Sequence, residues 1–571
     1  MSPSGRTFEG YAYHPELGPD GALVSTMGGD RIPLKSPDWE EALGLLRRIN
    51  TLRDAEGRRA SSLVQIDGFE PWWFVQDRLY RFYLLPLTQF RGFLQASYGR
   101  AQVGLAGAPR DLVRLTRLLS GREGFPTYWL RDRMGIRPRS LDKVRWKERV
   151  AGVAPFAFTW ASLLLFRLLG QDTLLYIIDQ VSPGLDHDFR LSPLYRELQA
   201  RGYRVAEYAH TLSARTAVSN SLKRRRPVAF IESLGALSDV EKQLGPVARS
   251  FPSGATPLDF EAAWEHVLAV QVLAWCQQSA TRYHHICQAI RLHGPKRAII
   301  FDDNRHNYEL VAACRQMGVK VLGFQHGVFN RFHTGLMAYG LTEARRHDFD
   351  LYGLWGPIFA ERLTRDSQLF DRGRLFVAGP LRPPLALDEP NRDVNSEADR
   401  IRQVLLVSEP LARKHELAPF LRPLLEDAHY HLQIKLRPGE PKEEAREYGI
   451  DLGEIDIVQS ASVYDAIKTA DVVMGTYSSV LYEAALALRP IVWLRTSMAY
   501  GAELVQEGLA EEAADPEKIR KAVDRAACLP EEELRRRRGL IWGSPSRSGV
   551  EVLLNRAEEE LWDPPGKKRT G

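Results

Sequence analysis

Val472 to Leu494 reads VVMGTYSSVLYEAALALRPIVWL. Two apolar runs of strand length, beginning at Val472 and ending at Leu494, flank a small-residue turn and a helix. The turn, Gly475-Thr476-Tyr477-Ser478-Ser479, sets hydroxyls beside backbone N–H groups that lack intrahelical partners. A helix N-terminus also carries partial positive charge, so this turn is a candidate phosphate cradle. The other reading is a plain cap, with Ser478 and Ser479 closing the first turn of an ordinary βαβ unit.

At 571 residues the chain exceeds one compact core, and size alone suggests roughly three or four domain-sized units. Apolar residues make up 44% and charged residues 26%, the balance of a folded, enzyme-sized protein. A net charge of +5, with a pI near 8.9, suits anionic ligands or an anionic membrane surface and is not a nucleic-acid signature. Cys276, Cys287, Cys314 and Cys528 lack CxxC spacing, so neither a disulfide framework nor a zinc site is supported, and a reducing cytoplasm fits. The N-terminal MSPSGRTFEGYAYHPELG has no apolar signal core. Ala154 to Gly170, APFAFTWASLLLFRLLG, is shorter than the ~20 residues of a spanning helix and contains Arg167, so no transmembrane span is expected. It reads as a buried core helix. Because the basic run Arg131 to Arg149 precedes it, the alternative is a segment lying on the inner face of a membrane.

Residues 1–170 are the least readable part. Within Phe69 to Phe90, Trp73, Gln76, Tyr80 and Tyr83 share one helical face, which reads as core, with a sugar-stacking platform as the alternative. From Thr173 short apolar strands alternate with helices: strands at Thr173 to Asp179, Tyr203 to Tyr208, Val228 to Glu232, Arg297 to Asp302 and Val319 to Phe324. Such alternation implies a parallel, doubly wound sheet. We therefore expect an α/β chain with a Rossmann-like domain over 171–385 and a polar, proline-containing linker at Leu381 to Asp399. A second Rossmann-like domain is expected over 400–571, with strands near Gln403, Tyr430, Ile455, Val472 and the run ending at Leu494.

Doubly wound sheets bind ligands beyond the carboxyl ends of their strands. In the first series those ends carry Asp302-Asp303-Asn304 and Gln325-His326-Gly327. If the two strands are neighbours, a carboxylate beside His326 makes a candidate general base; otherwise the aspartates cap a helix and the histidine satisfies a turn. In the second series Lys435 and Arg437 end one strand, and Thr476, Ser478 and Ser479 follow another. Together they offer cationic and neutral donors for a phosphate. Glu483, one helical turn beyond Ser479, is a candidate acceptor for ribose hydroxyls, or an ordinary surface glutamate.

These residues resemble the pattern of GT-B glycosyltransferases of bacterial surface-polysaccharide assembly: capsule Kdo transferases, bacterial polysialyltransferases and CDP-glycerol polymerases. In that group a basic-x-His-Pro strand end and a later Ser-Ser turn contact the donor phosphates. Lys435-Leu436-Arg437-Pro438 and Gly475-Thr476-Tyr477-Ser478-Ser479 are similar to these. The Asp302-Asp303 pair resembles the acidic pair of polysialyltransferases, and His326-Gly327 the His-Gly pair of the CDP-glycerol polymerases. Arg437 stands where that pattern has histidine, and Asn304 replaces a glycine. The resemblance covers Thr173 to Arg525.

It implies two Rossmann-like domains facing a cleft, with the last helix, Val550 to Trp562, crossing back onto the first. It also implies metal-independent transfer from a nucleotide-activated sugar, CMP- or CDP-linked, to a glycan or glycolipid acceptor. That sugar is a co-substrate, and no separate cofactor, metal or nucleic acid is expected. Lys435, Arg437 and the helix terminus at Ser478 and Ser479 would hold the departing phosphate, while Asp302, Asp303 or His326 would remove the acceptor proton. The expected location is cytoplasmic, peripheral on the inner membrane face. Two rivals stay open: a nucleotide-sugar 2-epimerase of the same architecture, and a non-catalytic polysaccharide assembly protein.

Overall fold

The computed structural model describes residues 38–53, 56–88, 141–178, 189–210, 227–234, 260–301, 307–337, 339–341, 348–367, 370–381, 401–408, 414–437, 440–442, 455–458, 462–497, 500–544 and 548–563, with single residues 187, 218, 221 and 448. It also describes five strands before residue 130 by their backbone. These are β1 (Tyr11–Leu17), β2 (Leu23–Met27), β3 (Asp30–Pro33), β4 (Gln102–Gly104) and β5 (Thr127–Trp129), in the order β3-β2-β1-β4-β5. Apart from Leu381, the expected linker falls outside the described residues.

The second sheet is fully parallel. It comprises β6 (Thr173–Ile178), β7 (Val205–His210), β8 (Val228–Phe230), β9 (Arg297–Phe301), β10 (Lys320–Phe324), β11 (Leu351–Leu354) and β12 (Leu375–Val377). Their order is β12-β11-β10-β9-β6-β7-β8. Leu174, Leu175, Tyr176, Ile299, Ile300, Val321 and Leu322 are each fully buried, as strands covered on both faces by helices require. The strand expected to run to Glu232 stops at Phe230, and Ile231–Leu234 turns helically instead.

The third sheet is also parallel: β13 (Arg402–Val407), β14 (Tyr430–Lys435), β15 (Asp456–Val458), β16 (Val472–Gly475), β17 (Ile491–Leu494) and β18 (Glu511–Ala513), in the order β15-β14-β13-β16-β17-β18. The chain is thus α/β with two Rossmann-like sheets, each reversing direction once: between β6 and β9, and between β13 and β16. The helix Ser479–Leu486 follows β16, buries Leu481, Tyr482, Ala484 and Ala485, and ends where Leu488 turns left-handed (φ 52°) ahead of Pro490.

The last helix, Gly549–Glu560, does cross back onto the first Rossmann-like domain. Tyr203 donates to Glu558 at 2.7 Å, and Arg201 pairs with the same carboxylate at 3.1 Å. Gly549 makes this return possible, because a Cβ there would lie 2.2 Å from the Pro380 carbonyl oxygen.

Of two expectations for the N-terminal region, the aromatic face is core as expected and the apolar segment differs. Trp73, Gln76, Tyr80 and Tyr83 are at most 2% exposed, so they offer no face to a sugar. Tyr83 packs on Trp275 at 4.9 Å, and Gln76 donates to the Thr334 and Met337 carbonyls. The segment Ala154 to Gly170 runs two residues past the end of the helix Leu141–Leu168 and is buried on one face only. Leu163 and Phe166 are fully buried, whereas Leu164, Leu165, Leu168 and Leu169 are 49%, 45%, 81% and 56% exposed. Among the described residues no helix is long and apolar enough to cross a membrane.

Candidate functional site

Strands β9 and β10 are neighbours in register, Phe301 opposite Phe324, so the chain leaves both from one edge. Asp302 and Asp303 lie outside the described residues. His326 is half-buried on the turn after β10. That turn is fixed by Gln325, whose side chain accepts from the Trp355 N–H at 2.9 Å and donates to the Gly327 carbonyl at 3.0 Å. Arg190, just ahead of the helix Ser192–Ala200, contacts His326 Nε2 at 3.1 Å. A guanidinium only donates, so Nε2 is the acceptor and the ring proton resides on Nδ1.

A second imidazole and a carboxylate meet further along the same edge. His210, the last residue of β7, hydrogen-bonds through Nδ1 to Glu232, just past β8. Behind Glu232, Arg282 pairs with Glu309, which also accepts from Ser279. None of these residues was picked out from the sequence. The available signal was an imidazole two positions past the expected end of an apolar strand.

On the third sheet, Thr476 is buried, Ser478 and Glu483 are half-buried, and Ser479 is exposed. Ser478 caps its helix, its hydroxyl accepting from the Val480 N–H at 3.3 Å. The turn is packed tightly from behind: a Cβ on Gly501 would fall 2.0 Å from the Thr476 carbonyl oxygen.

Lys435 and Arg437 lie at the end of β14, separated from β16 by β13. Lys435 donates to the Leu436 carbonyl at 3.1 Å, and burial lowers its ammonium below the ordinary lysine value. Arg437 is exposed, and its N–H donates to Glu440 at 3.0 Å. Glu440 organises this edge, accepting from Ser408 and Lys414 at 2.9 Å each. Burial would raise its carboxyl, but the hydrogen bonds from Lys414, the Arg437 N–H and Ser408 outweigh that and hold it below its usual range. Glu440, Lys414 and Ser408 were missed because their meeting depends on the order of β13 and β14.

The two sheets meet at their carboxyl ends. Tyr477, within the Thr476 to Ser479 turn, donates from its hydroxyl to the Val328 carbonyl at 2.8 Å, two residues beyond His326. Its ring packs edge-on against Tyr500 at 4.2 Å, and Asn330 donates to the Tyr500 carbonyl. Arg362, fully buried on the helix Pro357–Arg362, donates to the Phe329 carbonyl and to Glu507 at 2.8 Å each. One interface therefore holds the β10 turn against the β16 turn.

In structure the chain is similar to CalG4, the calicheamicin glycosyltransferase, with 18% identity over 68% of this chain and 99% of that one, at a TM-score of 0.41. It is similar to the glycosyltransferase SnogD from Streptomyces nogalater, with 14% identity over 67% and 99% of the two chains, at 0.40. It is also similar to UDP-GlcNAc 2-epimerase of Methanocaldococcus jannaschii in complex with UDP-GlcNAc and UDP, with 15% identity over 68% and 99%, at 0.41. No family model and no curated protein matches the chain. The GT-B-like description rests on the two parallel sheets and the returning helix; these likenesses decide nothing about activity.

Proposed function

We propose that the chain transfers a sugar from a nucleotide-activated donor, CMP- or CDP-linked, to a surface-polysaccharide or glycolipid acceptor. The observation that carries this reading is the hydrogen bond from Tyr477 to Val328, which joins a Ser-Ser helix entry on one parallel sheet to a His-Gly turn on the other. The donor phosphate would lie on Thr476, Ser478 and Ser479, with Lys435 and Arg437 supplying positive charge along the same edge and Glu483 meeting the ribose. Departure of that phosphate is then stabilised by fixed donors and the helix terminus. The acceptor would lie on the first sheet, beside the turns carrying Asp302, Asp303 and His326. The four exposed leucines between Leu164 and Leu169, preceded by the basic run, suit peripheral contact with the inner membrane face, where a glycolipid acceptor resides.

Calorimetric titration with CMP, CDP, UDP and GDP tests the donor half. A cytidine nucleotide is expected to bind, and Ser479→Ala and Arg437→Ala should abolish transfer while leaving the unfolding midpoint unchanged. Failure of all four nucleotides to bind, or full transfer by both variants, overturns the assignment. Epimerised sugar released from a UDP-sugar without acceptor would replace it by the epimerase reading.

A further inference from the structure

We propose that the N-terminal helix Trp39–Asn50 buttresses the donor turn, with Trp39 as a positioning residue that acts through Tyr500 on Tyr477 and so sets the affinity for the nucleotide; the proposal rests on the transferase reading above. Both ends of this helix are fastened. Asp38 caps it, its carboxylate accepting from the Glu41 N–H at 2.9 Å while its own N–H donates to the Thr88 hydroxyl at 2.8 Å. At the far end the fully buried Asn50 donates to the Tyr339 carbonyl at 2.9 Å and accepts from the Trp72 indole at 2.8 Å. Twelve residues of helix, about 18 Å, are thereby held against the first Rossmann-like domain.

The connection that leaves β10 is gripped from two sides. Its later part belongs to the N-terminal region: the Thr334, Met337 and Tyr339 carbonyls accept from Gln76 and Asn50, and the Thr334 hydroxyl donates to Asp77 at 2.9 Å. Its earlier part belongs to the second domain, through Tyr477 on the Val328 carbonyl and Asn330 on the Tyr500 carbonyl. Trp39 stands where the two grips meet. Its ring lies edge-on to Phe332 at 5.5 Å and to Tyr500 at 4.8 Å, and Phe332 stacks on Tyr500 at 5.6 Å. Rings from three parts of the chain thus close on one another, and Tyr500 passes the contact to Tyr477, 4.2 Å away in the donor turn. Arg331 follows the same course in charge, pairing with Glu40 of the helix and standing 3.7 Å from Glu503 of the second domain.

Tyr477 lies between Thr476 and Ser478, so a displaced Tyr477 ring displaces the donors proposed to hold the phosphate. Each aromatic pair shifts a local opening equilibrium roughly two- to tenfold. Loss of one hydrogen bond to a charged phosphate weakens binding by about tenfold or more. A ring that served only the packing of the N-terminal region would, on removal, lower the amount of active protein and leave the affinity of what remains unchanged.

The test uses the full chain and the variant Trp39→Leu, which keeps an apolar side chain at the junction. Without nucleotide, the amides of residues 477–480 should exchange with deuterium about tenfold faster than in wild type, with those of β13 and β16 unchanged. In calorimetry, whichever of CMP, CDP, UDP and GDP the wild type binds should bind the variant about tenfold more weakly, and Trp39→Phe should restore most of that loss. In transfer from the matching nucleotide-sugar to membrane glycolipid extract, the donor KM should rise with the acceptor KM unchanged. Wild-type exchange in β13 and β16 reports that the variant is folded; if those strands exchange faster, Trp39→Met takes its place. Wild-type chain that binds no nucleotide refutes the transferase reading and this role in donor binding with it. Wild-type binding accompanied by a Trp39 variant of equal affinity, or by added exchange confined to residues 39–50 and 72–88, refutes the proposal alone.

Discussion

Replacing Arg362 by methionine tests whether one buried charge holds the two Rossmann-like domains in register. The guanidinium is 1% exposed and donates to Glu507 and to the Phe329 carbonyl at 2.8 Å, and to the Tyr482 hydroxyl at 3.3 Å. Methionine fills the space of the aliphatic stem but leaves the 10%-exposed Glu507 carboxylate without its cation. Arg365 stands 3.9 Å from that carboxylate but is 57% exposed, so it compensates little. Removing one partner of a buried pair costs about 3–5 kcal/mol. The orphaned Phe329 carbonyl adds about 1 kcal/mol. Together these approach the whole stability of a marginal domain, roughly 5–15 kcal/mol. Urea unfolding followed by tryptophan fluorescence is the assay, because Trp355 and Trp542 stack at 4.7 Å beside this contact. The variant Arg362→Met should show a loss of that size, and Arg362→Met with Glu507→Leu should recover most of it. A loss under about 1 kcal/mol, or a double variant that merely adds the single losses, refutes the reasoning.

The same interface holds Glu503, buried with no side-chain hydrogen-bond partner for its carboxylate among the described residues and with Arg331 at 3.7 Å. Burial raises its carboxyl above the ordinary glutamate value near 4.5. Its contribution to stability is therefore fully present below that unfolded value and is lost as pH rises through the folded one. Glu503→Gln should raise the Tm at pH 7 and leave it unchanged at pH 4; equal shifts at both would count against the assignment. Replacing Leu164, Leu165, Leu168 and Leu169 together by serine should leave the Tm near wild type, since all four are exposed, yet abolish co-sedimentation with phosphatidylglycerol vesicles at low salt. Undiminished sedimentation would exclude this face as the membrane contact.

What was legible in the sequence followed from periodicity. Apolar runs such as Leu174 to Ile177 and Val472 to Met474 could only be strands covered on both faces, and the helices between them forced parallel pairing. Strand ends were legible too, and with them His326, Lys435 and the Ser478 turn. Lateral order was not. An imidazole–carboxylate pair was anticipated between the Asp302 turn and His326, whereas among the described residues such a pair appears at His210 and Glu232, because pairing of β7 with β8 brings together positions 22 residues apart. Nothing in the sequence next to Arg362 marks it as buried, because its partner Glu507 lies 145 residues later.

The turn at Thr476 to Ser479 shows most clearly how local pattern and tertiary contact divide the work. Ser478 does what its place before an apolar helix requires and caps it, so its hydroxyl alone does not distinguish a phosphate cradle from a plain βαβ turn. The residue that distinguishes this turn is Tyr477, whose hydroxyl reaches across to Val328. Within its own domain the ring packs edge-on against Tyr500, while the hydroxyl serves the facing sheet. A helix entry that must be held against a His-Gly turn on the facing sheet needs a side chain long enough to span the gap, with a donor at its tip.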